Sequence, residues 1–189
     1  MNLLEVKRMR RKQIIVLNSI VLTAFLIYFI IIHLFEVTFT SFFTVFGVLV
    51  MIQAITLIIK SKSTKSIFPI IEKVYIYEKE KMGNEWVKQR RIGAYINLLL
   101  GCILFLNAYS SAGVEDNYMK INPFLLVAAV IFLCLLNVTL HLHNRKIDNS
   151  TQRNLKGYSW KFLLISLFAG LGLGAVIIIG TFYFIITTV

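Results

Sequence analysis

The chain has 189 residues, of which 58% are apolar, with a mean hydropathy of +0.77 and a formal net charge of +11. That length suits one domain or one compact membrane bundle, and an apolar share above the roughly 45–50% of soluble domains favours the bundle. The basic residues flank apolar runs instead of covering a polar face, which excludes a nucleic-acid-binding module and leaves membrane topology as their explanation.

Met1–Lys12 carries Lys7, Arg8, Arg10, Arg11 and Lys12, and an apolar run follows from Ile14 to Phe35. About 20 apolar residues exceed the ~7–15 of a signal-peptide core, and no small-residue cleavage site follows, so the run reads as a retained transmembrane helix. Phe39–Ile59, interrupted only by the amide Gln53, is expected to return as the second arm of a hairpin through Glu36–Thr38. Ile92–Ser111, Ile121–Leu142 and Phe162–Val189 complete a set of five spans with no Asp, Glu, Lys or Arg in their cores. Each is near or above the ~20 residues that cross a hydrocarbon layer. Cys102 and Cys134 fall inside two of these runs without a CxxC neighbour, and are expected to be buried, inert thiols.

Orientation follows from charge. Met1–Lys12, Lys60–Arg91 and His143–Lys161 together hold 19 of the 20 Lys and Arg residues; the other side holds Glu36, Glu115, Asp116 and Lys120. The positive-inside rule therefore sets the N-terminus inside and, after five spans, the C-terminus outside.

The longest polar segment, residues 60–91, divides in two. Lys60–Ser66 is rich in Ser and Lys and reads as a flexible, headgroup-facing linker. From Pro69 the pattern becomes helical, with Ile71, Val74, Tyr75, Met82 and Trp86 near one stripe and Lys81 four residues before Glu85. Gly83-Asn84 either breaks or weakens that amphipathic helix. Trp86, Arg90 and Arg91 are expected at the headgroup boundary of the third span.

The first four spans also suggest two parallel hairpins. Asn18 follows Arg11 by seven residues, Asn97 follows Arg90 by seven, Gln53 precedes Lys60 by seven and Asn137 precedes Arg145 by eight. Seven helical residues rise about 10 Å, so the four amides should share one layer inside the membrane. Amides facing lipid are costly, so the layer is read as interhelical hydrogen bonding or as a polar crevice. In the last span Gly170 and Gly174 form a small-xxx-small face for helix packing, within the bundle or in a homo-oligomer.

No catalytic or metal chemistry is indicated, and no cofactor is called for. His141 and His143 diverge around a helix, His33 lies at the opposite face, and there is no HExxH arrangement. Proton or cation relays normally place ionisable side chains within the bundle, and these spans have none.

The segment YIYEKEKMGNEWVKQRR (Tyr75–Arg91), the Lys/Ile/Asn-rich composition and the hairpin arrangement resemble small multispan proteins of low-GC Gram-positive bacteria. In particular they resemble the uncharacterised membrane proteins encoded in staphylococcal type VII secretion loci, some of which are immunity proteins against secreted toxins. The resemblance implies a bacterial cytoplasmic membrane location and a role beside a secreted effector or its machinery.

The expectation is thus an all-α, multi-pass membrane protein of five helices, non-enzymatic, embedded in lipid and binding a protein partner in or beside the membrane. Tyr75, Tyr77, Glu78, Glu85 and Trp86 are the candidate partner-binding residues, with Gly170 and Gly174 as a packing face. The alternative is a small transporter or permease subunit whose crevice is lined by Asn18, Gln53, Asn97 and Asn137.

Overall fold

A computed structural model describes residues 2–113, 118–119 and 123–168. The fold is all-α. Helices α1 (Leu3–Leu34), α2 (Phe39–Ile59), α3 (Pro69–Met82), α4 (Asn84–Ser111) and α5 (Pro123–Asp148) are followed by a 3₁₀ turn at Gln152–Leu155. A shorter apolar helix, α6, is described over Tyr158–Phe168. Four of these helices (α1, α2, α4 and α5) are long and apolar enough to cross a membrane. Most of the expected fifth span, with Gly170 and Gly174, lies outside the described residues.

Local chemistry sets the helix ends. Glu5 accepts a hydrogen bond from the Asn2 backbone N–H at the start of α1, and Thr38 Oγ1 caps α2 by accepting from Ser41 N. Pro69 opens α3, where its missing N–H costs nothing. Gly83 ends it with φ +57°, a conformation that disfavours other residues, and a Cβ there would collide with the Gln152 side chain. The amphipathic pattern is therefore broken at Gly83, and the expected Lys81–Glu85 pairing along one helix does not form.

The helices do not pair as consecutive hairpins. α2 lies along α4, α1 lies against α5, and α3 packs on α1, α4 and α5 at the basic end. α1 and α2 meet near their connection, where the Tyr28 and Phe42 rings are 5.6 Å apart. At that same end the α1–α2 connection touches the α4–α5 connection, with Met119 N donating to Val37 O at 2.8 Å. The pairing is nested, so it departs from two side-by-side copies of one hairpin.

The α2–α4 contact is a seam of small residues. Gly47 and Ala54 on α2, and Ala94, Gly101 and Ala108 on α4, are all buried and recur every seven residues. This heptad spacing keeps one face of each helix against its antiparallel partner. Gly101 stands so close to α2 that an added Cβ would come within 2.7 Å of Met51 Cγ. On their other faces large apolar residues such as Leu49, Ile52, Leu99 and Leu106 are exposed. Such a surface is stable against lipid and not against water. Cys102 and Cys134 are also exposed and free, contrary to the expected burial, because apolar positions on these helices face outward.

The buried hydrophobic cluster lies instead at the basic end. Val6 and Met9 from α1, Val74, Tyr77 and Met82 from α3, Trp86 from α4, Ile147 from α5, and Leu155 and Tyr158 from the last turns form it. Below, this region is called the basic cap.

Candidate functional site: an ion-paired cap over a cavity

The cap forms because α1 and α5 extend beyond their apolar runs. Val6, Met9, Arg10 and Gln13 share the buried face of α1, at spacings that place them on one side of a helix. Asn144, Ile147 and Asp148 do the same on α5. α3 lays Ile71, Val74, Tyr77, Glu78 and Met82 across both.

Arg10 is the hub. Its Nη1 donates to Glu78 Oε1 at 2.7 Å and to Gln13 Oε1 at 3.1 Å, while Nη2 and Nε hold Asp148 at 2.9 and 3.3 Å. Its guanidinium carbon also sits 5.4 Å from the centroid of the Tyr77 ring. Only a planar fork reaches all these partners at once. Gln13 Oε1 accepts a second bond, from Asn144 Nδ2 at 3.3 Å. Three helices are thereby tied through one side chain.

One guanidinium shared by two carboxylates leaves the cluster rich in negative charge. Burial pushes the Glu78 carboxyl above the usual range, against the pull of Arg10, and the nearby Asp148 adds to the rise. Burial likewise pushes the Tyr77 phenol up to about 12, with Asp148 contributing. His143 faces Glu78, with Nε2 3.8 Å from Oε1, and its Nδ1 is 3.1 Å from the Tyr158 hydroxyl. Asp148, also close enough to act on His143, is hydrogen-bonded by Arg10.

A second cluster holds the start of α4. Ser159 Oγ donates to Glu85 Oε2 at 2.7 Å, and the Ser159 backbone N–H lies 3.4 Å from the same oxygen. Partial burial pushes Glu85 up, but the Ser159 hydroxyl and nearby backbone amides outweigh it and hold the carboxyl below its ordinary value. Beside it the Arg90 guanidinium carbon stands 4.9 Å from the Tyr75 ring centroid and 4.7 Å from that of Trp86. Arg90 Nη1 donates to Ser63 O at 3.0 Å, and Lys79 Nζ donates to Lys62 O at 2.9 Å. These bonds tie the Lys62 and Ser63 backbone to α3 and α4.

Between the cap and the spans lies a cavity of about 310 Å³. Leu57, Ile92, Ile96, Phe162 and Leu163 give it apolar walls, and Glu78, Gln89, Arg90, His143, Ser159 and Ser166 add polar groups. Of the five side chains expected to meet a partner, Tyr75, Glu78 and Trp86 line this cavity, whereas Tyr77 lies against Arg10 and Glu85 is held by Ser159. Tyr77, Glu78 and Trp86 are buried, and Tyr75 and Glu85 are half-buried. Trp86 is thus a core residue and not an interfacial anchor.

The amide layer is half realised. Asn18 and Asn137 exchange two hydrogen bonds, each 2.8 Å, between α1 and α5. Gln53 is exposed and Asn97 half-buried, since the facing sides of α2 and α4 are occupied by the small-residue seam.

Sequence reasoning missed Arg10, Gln13, Ser159 and the seam glycines Gly47 and Gly101. Arg10 was hidden among four other cations, although Val6, Met9 and Gln13 at helical spacing around it would have marked one buried face. No family model matches this chain, and no curated protein or solved structure does so.

Proposed function

We propose that this is a non-enzymatic, multi-pass protein of a bacterial cytoplasmic membrane that acts by binding another protein there. An accessory or immunity-type role, of the kind the type VII secretion resemblance implies, fits this reading. The observation that carries it is the self-engagement of the cap's ionisable groups. Glu78 and Asp148 are held by Arg10, and Glu85 by Ser159, so these side chains support a rigid shape instead of standing free as acids or bases.

The partner surface consequently moves from Tyr75, Tyr77, Glu78, Glu85 and Trp86 to the outward side of α3 and the turn before it. There Ile67 is 93% exposed, Phe68 and Ile76 are exposed beside it, and Lys73 and Glu80 add charges of both signs. Mixed charge around exposed apolar side chains suits a protein contact. Affinity purification from membranes in mild detergent tests this, with wild type beside an Ile67→Ser, Ile76→Asp variant. A stoichiometric partner present only with wild type supports the reading, and substrate flux through the purified protein in liposomes overturns it. The transport-subunit reading draws on the cavity; the closed Asn18–Asn137 pair favours glue over a wet crevice.

A further inference from the structure

Arg90 stands out because its charge has no acid beside it. Among the described residues the cap's ion pairs join Arg10 to Glu78 and Asp148, and Lys88 to Glu85, but none includes Arg90. A guanidinium carries five N–H donors. Here Ser63 O takes one, two aromatic faces lie against the plane, and the buried Nε has no acceptor. Two residues later the apolar run of α4 begins at Ile92, so this cation sits at the edge of the membrane layer.

The cavity continues from Arg90 along that run. Gly93 and Ile96 on α4, Leu57 on α2, and Phe162 and Leu163 on α6 line it. A Cβ built on Gly93 meets no atom within 4 Å, so this helix position opens onto empty space. Gly inside a helix is less favourable than Ala, and no close packing here requires it. A volume of about 310 Å³ is at the small end for ligand sites, enough for part of an amphiphile.

We propose that this cavity is a binding site for an anionic phospholipid, with the headgroup phosphate at Arg90 and Gln89 and acyl carbons between Ile92, Ile96, Phe162 and Leu163. Glu78 also lines the cavity, and Arg10, 2.7 Å from its Oε1, offsets part of the repulsion it would exert on such a headgroup. The phosphate supplies both the acceptors and the charge that Arg90 lacks, and the apolar walls select a lipid over a free anion. The site is independent of the protein partner: lipid occupancy is read on the purified chain alone.

The test is native mass spectrometry of the full chain in detergent, with phosphatidylglycerol, phosphatidylcholine or inorganic phosphate added, and thermal melting alongside. Wild type should retain phosphatidylglycerol over phosphatidylcholine by about fivefold, the ratio for one cation facing a net anionic headgroup instead of one whose choline ammonium offsets the phosphate. Gly93→Leu fills the cavity without altering any charge, and should lower phosphatidylglycerol retention about tenfold with the melting point kept or raised. Arg90→Gln should abolish the preference between the two lipids. If Gly93→Leu does not fold, Gly93→Ala is read in its place for a smaller loss in the same direction. Undiminished retention in a folded Gly93 variant overturns the proposal, since the basic surface alone would then hold the lipid. So does an equal melting shift with inorganic phosphate, which would make the site one for a small anion.

Discussion

The two helix pairs of this protein are held by different chemistry. α2 and α4 meet along Gly47, Ala54, Ala94, Gly101 and Ala108, a contact with no side-chain hydrogen bond, where closeness of approach is the source of attraction. α1 and α5 add polar groups to apolar contacts such as that of the Phe25 and Phe132 rings, with one amide pair in the membrane and the Arg10 hub beyond it. In lipid the usual hydrophobic drive between helices is missing, so either tight packing or hydrogen bonding must take its place. In this molecule α2 and α4 rely on close packing, and α1 and α5 combine packing with hydrogen bonds. α3 then joins them, with Glu78 on Arg10 of α1 and Tyr75 against Trp86 of α4.

Removing the hub should produce the largest effect. Arg10→Ala leaves Glu78 and Asp148 side by side without a cation, and breaking a buried pair from one side costs about 3–5 kcal/mol. Thermal melting in detergent should show it as a large drop, with α3 the first segment to lose protection in hydrogen exchange. Replacing Arg10, Glu78 and Asp148 together by Met, Leu and Leu should restore most of the loss, because a buried ion cluster is weak support compared with apolar packing. A triple variant as unstable as Arg10→Ala would mean that the hub contributes net stability.

The dry seam gives the next largest effect. At Gly101 the nearest atoms are Met51 Cγ and Sδ, so Gly101→Ala requires the Met51 side chain to change rotamer, a cost set against the gain in helix propensity. The two effects should leave it within about 1 kcal/mol of wild type. Gly101→Leu has no such escape against α2 and should destabilise by about 1–3 kcal/mol. A tolerated Leu would show that α2 and α4 are less closely packed than this seam requires.

Glu78 offers a pH-dependent test of the wet region. A carboxyl with a raised folded-state pKa binds its proton more tightly when folded. The stability it contributes is full below the unfolded value and is lost as pH rises through the folded one. Lowering pH from neutral should therefore narrow any stability advantage of Glu78→Gln, whose amide cannot titrate. Arg10, Asp148, His143 and Tyr77 all face this carboxyl, and the comparison at matched pH isolates Glu78 from them. A constant gap between the two proteins from pH 7 to about 5 would place the titration elsewhere.

Much of the framework was legible because bilayer chemistry is so restrictive. Apolar length and flanking charge located α1, α2, α4 and α5, and Pro69 marked the start of α3. Pairing was not legible. Hydropathy assigns every span an apolar surface without saying which side meets another helix, so consecutive spans were joined as hairpins. The heptad of Ala94, Gly101 and Ala108 did hold that information, in residues too small to register as a pattern of hydrophobicity. The cap was misjudged for a related reason. A stripe of Tyr75, Tyr77, Glu78 and Trp86 has the composition of a binding face, and only the extensions of α1 and α5 reveal that the chain binds that face itself.

The smallest expected effect is the most telling for function. Asn18 and Asn137 bond each other at 2.8 Å, and each amide nitrogen also donates to a carbonyl of its own helix, Ile14 O and Leu133 O. A single Asn18→Leu or Asn137→Leu therefore leaves the surviving amide partly satisfied. Their coupling in a double-mutant cycle should be about 0.6 kcal/mol, the average for interhelical hydrogen bonds in a membrane. Gln53→Leu, on an exposed face, should change stability by less than about 0.5 kcal/mol. If the pair is glue, the Asn variants lose function only as far as they lose abundance. If function vanishes at normal abundance and unchanged melting, the amides are handling a passing polar species, and the α1–α5 interface becomes a route instead of a joint.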